Sequence, residues 1–192
     1  MAKGFTEHEK ELIKEKLIQV CKESWSRYGY AKSNIRDICA RAGISTGAFY
    51  EFYPSKEHLF VDTSEAVAGS LVETLKANMP PVNPSKYDFA KALKCLIKEL
   101  MSMEWFLKLH EEMDIISRKL PLEFFEKAKK IEVANFSSLI KQYGFKSKIK
   151  INITTAVLRT LLTLLHNRKL IGENCDEAFD FVFNTTIENL FE

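Results

Sequence analysis

Glycine and proline are so sparse and so unevenly placed in this chain that they leave it little choice but helix. Seven glycines and five prolines punctuate 192 residues, and three of the prolines fall in one stretch, MPPVNPSK, residues 79–86. Both residue types interrupt helices, glycine through its backbone freedom and proline through its fixed φ and missing N–H. Between these breaks nearly every segment repeats apolar residues three and four apart, the mark of one buried helix face. No segment alternates as a half-buried strand would. From residue 6 to about 28 the repeat is Leu12, Ile13, Leu17, Val20, Cys21 and Trp25. Thr6-x-x-Glu9 has the form of a capping box, and Gly29 is placed to end that helix in a left-handed residue. Further helices are predicted near 34–41, 46–53, 55–78, 86–102, 104–120, 122–143, 148–170 and 176–191. Pro121 takes a first-turn position, and Gly144 and Gly172 close two of them. The expected fold class is all-α with about nine helices: an N-terminal three-helix head over 1–54 and a larger C-terminal helical domain over 55–192, with 55–78 as the linking helix.

One stretch is divided more finely than the rest. Ser33 or Asn34 can cap a short helix that has Asp37 in its first turn and Ile35, Ile38 and Cys39 facing inward. Gly43 breaks it, and only Ala42-Gly43-Ile44-Ser45 separates it from a third helix capped by Ser45. Two short helices joined by a glycine-containing turn of this length form the helix-turn-helix pattern. The third helix has small residues in front (Thr46, Gly47, Ala48) and aromatics behind (Phe49, Tyr50, Phe52, Tyr53). Phe49 and Tyr53, four apart, share a face that can pack on Ile38, Ile44 and the first helix. Such spacing suits a core helix with an aromatic back. It also suits a helix whose slim front enters a DNA major groove about 12 Å wide. In that second reading the N–H groups at the starts of the second, third and fourth helices face phosphates. Tyr50 gives its hydroxyl to a phosphate, Lys56 pairs with the backbone, Thr46 offers a hydroxyl or methyl to a base, and Arg36 is the long donor for guanine O6 and N7.

Composition neither supplies nor removes that reading. With 28 Lys and Arg against 26 Asp and Glu, the net charge of +2 is too near neutral to require a nucleic-acid partner, so the case rests on local geometry. Cys21, Cys39, Cys95 and Cys175 lie far apart and form no CxxC pair, which excludes a zinc framework and suggests no disulfide scaffold. The charged start, MAKGFTEHEKELIKEK, lacks the apolar centre of a signal peptide, and no apolar run reaches the ~18–20 residues of a membrane span. The expectation is a reduced, cytoplasmic protein with free thiols and no cofactor or metal.

The residues from Gly29 to Phe60, GYAKSNIRDICARAGISTGAFYEFYPSKEHLF, resemble the DNA-binding signature of the TetR family of bacterial transcription regulators. The resemblance is carried by Gly29 followed by an aromatic, Ser33, Ile35-Arg36-Asp37-Ile38, Ala42-Gly43-Ile44-Ser45, Gly47, Tyr50 and Ser55-Lys56-Glu57. Glu51 and Phe52 stand where the family often has aromatic or histidine residues, and Cys39 where it has alanine. The resemblance implies a homodimer in which each third helix reads half of a near-palindromic operator in double-stranded DNA. It makes Ser33, Arg36, Ser45, Thr46, Gly47, Ala48, Tyr50 and Lys56 the DNA-contact candidates. It also implies a small-molecule effector pocket in the later helices that releases a repressor from its operator.

Those later helices admit more than one use. Phe89, Met101, Trp105, Phe106, His110, Met113 and Phe136 are the candidates for lining an effector pocket, although aromatics and methionines at helical spacing also make plain core. Val157, Leu161, Leu165, Phe179, Val182, Phe183 and Ile187 form wide apolar faces on the last two helices. These suit pairing across a two-fold axis into a four-helix bundle, or a broad core. His110-Glu111-Glu112-Met113-Asp114 lacks the second histidine of a zinc-protease motif, and no nucleophile–base set accompanies it, so no catalytic residues are assigned. A DNA-binding dimer whose later helices hold a protein partner is the alternative function; a helical enzyme is the remote one.

Overall fold

The computed structural model describes residues 5–120, 122–167 and 171–192. Among the described residues there are ten helices: α1 (Glu7–Lys32), α2 (Ile35–Ala42), α3 (Thr46–Phe52), α4 (Lys56–Ala77), α5 (Lys86–Ser102), α6 (Glu104–Glu111), α7 (Met113–Ser117), α8 (Leu122–Gln142), α9 (Ile151–His166) and α10 (Cys175–Leu190). The class is all-α, as the periodicity required. The only extended pairing among these residues is a single antiparallel bridge between Ser147 and Phe191. Pro121 and the end, at 168–170, of the helix expected over 148–170 lie outside the described residues.

Two expected elements differ, and both differences meet at one place. Gly29 interrupts α1 in a positive-φ residue, as expected, at φ 79°, ψ 171°, but one further turn follows it to Lys32. The single helix expected over 104–120 is divided into α6 and α7 at Glu112, whose φ −99° and ψ 3° lie outside helical values.

The chain forms two compact units, one of Met1–Ser70 with Met103–Phe124 and one of Leu71–Ser102 with Phe125–Glu192. The three-helix head expected over 1–54 therefore lies in a unit that also contains α6 and α7. In this first unit the α1 residues Leu17, Val20 and Cys21 meet Ile38 and Cys39 of α2, Phe49 of α3, Tyr53 and Leu59 in one buried cluster. A second aromatic layer adjoins it, with the Trp25 and Phe60 rings stacked at 3.5 Å and Trp105 of α6 6.3 Å from Trp25. In the second unit Phe89 is the centre of an aromatic group, 5.3 Å from Phe191, 5.4 Å from Phe145 and 6.2 Å from Phe136. Leu161 and Leu165 of α9 and Phe183, Ile187 and Leu190 of α10 complete that core. Each such side chain contributes about 1.5–3 kcal/mol on burial. Cys21, Cys39 and Cys175 are buried and Cys95 is exposed, all as free thiols.

Candidate nucleic-acid interface

Polar groups at helix ends set the geometry of the head. Thr6 and Glu9 form the full capping box of α1, the Glu9 N–H donating to Thr6 Oγ1 at 3.3 Å and the Thr6 N–H to Glu9 Oε2 at 2.7 Å. Asn34 caps α2 by accepting the Asp37 N–H at 2.9 Å. Gly43 closes α2 in the left-handed region, φ 81° and ψ 24°, and the Ile44 N–H reaches back to the Cys39 carbonyl at 3.0 Å. Ser45 then caps α3, accepting the Ala48 N–H at 3.1 Å. The turn between α2 and α3 is thus closed at both ends by bonds that span three to five residues.

The face of α3 away from the core is open. Phe49 is fully buried, with Tyr50 edge-on to it at 5.4 Å and Tyr53 at 5.9 Å. Ser45, Thr46, Gly47 and Tyr50 are exposed, Ala48 is half-buried, and a side chain built at Gly47 would meet nothing nearer than Ser45 Oγ at 3.8 Å. Tyr50 keeps 56% of its surface in solvent. Arg36, second in α2, is exposed as well. These six residues leave the start of α2 and the front of α3 uncovered.

Two of the eight predicted contacts are placed differently. Ser33 is only 4% exposed; its hydroxyl donates to the Gly29 carbonyl at 2.8 Å and accepts from Ser24 at 3.0 Å. Lys56 points under the end of α1, donating to the carbonyls of Tyr30 at 2.8 Å and Ser33 at 2.9 Å, with Nζ 3.9 Å from the centre of the Tyr30 ring. Its burial lowers its pKa from the usual lysine value, against the pull of Glu57. Beside it the Tyr30 hydroxyl donates to Glu57. Burial and this neighbouring carboxylate push the Tyr30 phenol well above its ordinary range. Burial opposes the charge on Glu57, but hydrogen bonds from Tyr30 and Ser55 outweigh it and hold the carboxyl below its usual pKa. Above these groups lies an open recess of about 400 Å³ between Asn34, Tyr50, Ser55 and Lys56. Lys56, Tyr30 and Glu57 brace the wall of this recess.

The remaining candidates separate by unit. Trp105, Phe106 and Met113 fall in the first unit, where Trp105 is buried against Trp25 and Phe60. Phe89, Met101 and Phe136 fall in the second, within or against its core. The side chain of His110 lies outside the described residues. Of the pairing candidates, Leu161, Leu165, Phe183 and Ile187 are buried in their own unit, with Val157 and Phe179 packed against them; Val182 is exposed. Lys108 and Glu112, absent from every sequence-derived site, are bonded to the end of α1. Their signal was a Lys–Glu pair four apart, which reads as an ordinary exposed helix pair. Among the described residues no three His, Cys, Asp or Glu side chains converge as metal ligands, and no helix is long and apolar enough to cross a membrane.

This head is a helix-turn-helix unit of a kind found in bacterial regulators. Residues 17–63 match the family described as "Bacterial regulatory proteins, tetR family". An uncharacterized HTH-type transcriptional regulator of Bacillus subtilis (strain 168), YerO, is 33% identical over 63 residues, which is 33% of this chain and 22% of that protein. Solved structures share the fold along nearly the whole chain. SmeT, the repressor of the Stenotrophomonas maltophilia multidrug efflux pump SmeDEF, superposes with a TM-score of 0.62 at 16% identity, covering 93% of this chain and 90% of its own. RolR in complex with its ligand resorcinol superposes with a TM-score of 0.67 at 14% identity, covering 96% of this chain and 90% of its own. Residues 17–63 thus match the TetR-family helix-turn-helix segment, and the chain shares the all-α fold of solved TetR-family regulators. The resemblance first seen in residues 29–60 is borne out.

Proposed function

We propose that this protein is a transcriptional regulator, a homodimeric repressor that leaves a near-palindromic operator when a small molecule binds. The observation that carries the reading is the open front of α3, where Thr46, Gly47 and Tyr50 stand clear of the core beside an exposed Arg36. Thr46 and Arg36 address base edges, and Tyr50, at the recess, gives its hydroxyl to a phosphate. Ser33 and Lys56 serve by holding the end of α1 in place. Regulation by a small ligand is supported by the fold shared with RolR, which is solved with resorcinol bound. The protein acts by binding, not by turnover.

Self-association fits an outer face of α9 and α10. Ile153, Ala156 and Thr160 on α9, and Ala178, Phe181, Val182 and Thr185 on α10, are exposed at spacings of three and four. Phe181 keeps 74% of its surface in solvent. Pairing these faces across a two-fold axis covers them, and it refines the set named from sequence.

The test selects bound duplexes from a random library and measures affinity for the winner. An enriched near-palindrome is expected, with Arg36→Ala losing about 1–3 kcal/mol and relaxing one base position. Tyr50→Phe is expected to weaken binding evenly across sequences. Phe181→Asp is expected to leave a folded monomer in sedimentation. A folded protein that enriches no duplex would sink the reading.

A further inference from the structure

The break in α1 at Gly29 and the division of α6 from α7 at Glu112 are two halves of one contact. Two helical hydrogen bonds would span Gly29 from the first part of α1: Tyr30 N–H to Ser26 C=O and Ala31 N–H to Arg27 C=O. A residue at φ 79°, ψ 171° turns the following peptide out of line for them. Both ends of each are met from α6 instead. Lys108 Nζ donates to the carbonyls of Ser26 and Arg27, the latter at 2.8 Å. The Glu112 carboxylate accepts the N–H groups of Tyr30 and of Ala31, the latter at 3.3 Å. A cation meets freed carbonyls and an anion meets freed amides, and the two side chains are four residues apart on one face.

The fit is too close for another residue at the break. A β-carbon on Gly29 would stand 2.7 Å from Glu112 Oε1, in a backbone conformation that side chains rarely adopt. On its far side the same turn is braced by Lys56, which binds the carbonyls of Tyr30 and Ser33, and by Ser33, which binds that of Gly29. Asn34, the cap of α2, follows at once. The short turn that leads into the reading helices is therefore gripped from α4 and α6 together.

We infer that Lys108 and Glu112 are positioning residues for DNA binding: they wedge the break in α1 open and so hold the entry into α2, without touching DNA. This rests on the DNA-binding reading above. It makes α6 and the α6–α7 junction, outside the matched segment 17–63, a working part of the head.

The test uses the full chain and the selected duplex. In Glu112→Ala, amide exchange at Tyr30 and Ala31 should quicken about tenfold while Val20, in the head core, keeps its rate. Affinity should fall about five- to tenfold with an unchanged salt slope, because no phosphate contact is lost. Glu112→Gln, which retains one acceptor oxygen, should fall between, and it serves if the alanine variant does not fold. Gly29→Ala should weaken binding less in the Glu112→Ala background than in the native one, since the clash is gone. Exchange that stays slow would show that the amides are held without Glu112, and unchanged affinity with fast exchange would show that the turn does not position the reader. Either overturns the inference. So does a salt slope about one unit smaller in Lys108→Met, which would make Lys108 a direct phosphate contact. If the native protein enriches no duplex, the DNA reading fails and the positioning role with it, while the exchange arm still reports whether the wedge exists.

Discussion

The two compact units are held together in different ways. In the first, helix ends are finished by side chains: Thr6 and Glu9 on α1, Asn34 on α2, Ser45 on α3, and Lys56, Lys108 and Glu112 around the Gly29 break. In the second, Ser85 and Asp88 cap α5, but α9 and α10 begin with no side-chain cap, and those two helices rest on the packing of Phe89, Leu161, Phe183, Ile187 and Phe191. Capping bonds have direction, so they hold short helices at set angles. Apolar burial has none, so it tolerates change in shape as long as volume is filled. A reader of DNA needs the first kind of construction.

The largest effect that tests this contrast belongs to the second unit. Phe183 is fully buried, and Phe183→Ala should cost about 3–5 kcal/mol in denaturant unfolding. Phe181→Ala, two residues away and exposed, should leave the stability of the folded monomer nearly unchanged. Equal losses would remove the distinction between a core face and an outer face on α10.

Changes in the head should be smaller but should act on geometry. Gly43→Ala meets no atom within 4 Å, so its cost, about 1–2 kcal/mol, is that of a left-handed backbone alone. Ser45→Ala should cost about 1 kcal/mol through the lost cap of α3. Both should weaken DNA binding by more than their loss of stability predicts, as read by calorimetry beside a binding isotherm.

The smallest effect concerns acid. Glu57 has its folded pKa held below the 4.5 of a free glutamate, so the unfolded chain binds its proton first as pH falls. Its contribution is therefore complete above that value and is lost as pH drops toward the lower folded pKa. Between about pH 6 and pH 3, Glu57→Gln should flatten part of the fall in urea midpoint seen for the native chain. Parallel curves would remove Glu57 from the brace.

Much of the head was legible because its signals are local. A cap lies within three residues of the N–H it binds, and a left-handed glycine within four of the helix it closes, so Thr6, Glu9, Asn34, Gly43 and Ser45 could all be read in order. The inward turn of Ser33 and Lys56 was not legible: both face the end of α1, and which side chain turns in depends on the break at Gly29. Glu112 was hidden more deeply, since its partners lie 81 and 82 residues away. On α9 and α10 the apolar residues were evident, but periodicity cannot say which of two greasy stripes faces inward. Phe183 went to the core and Phe181 to solvent.

The sequence by itself determined the all-α class, the boundaries of the short helices and the helix-turn-helix, since each follows from bonds and breaks within a turn or two. Only the tertiary structure decided that a further turn follows the break at Gly29 and that α6 meets the freed backbone groups there. It also decided which face of α10 stays outside. Those outcomes depend on which distant groups come together, and spacing along one helix carries no information about what packs against it.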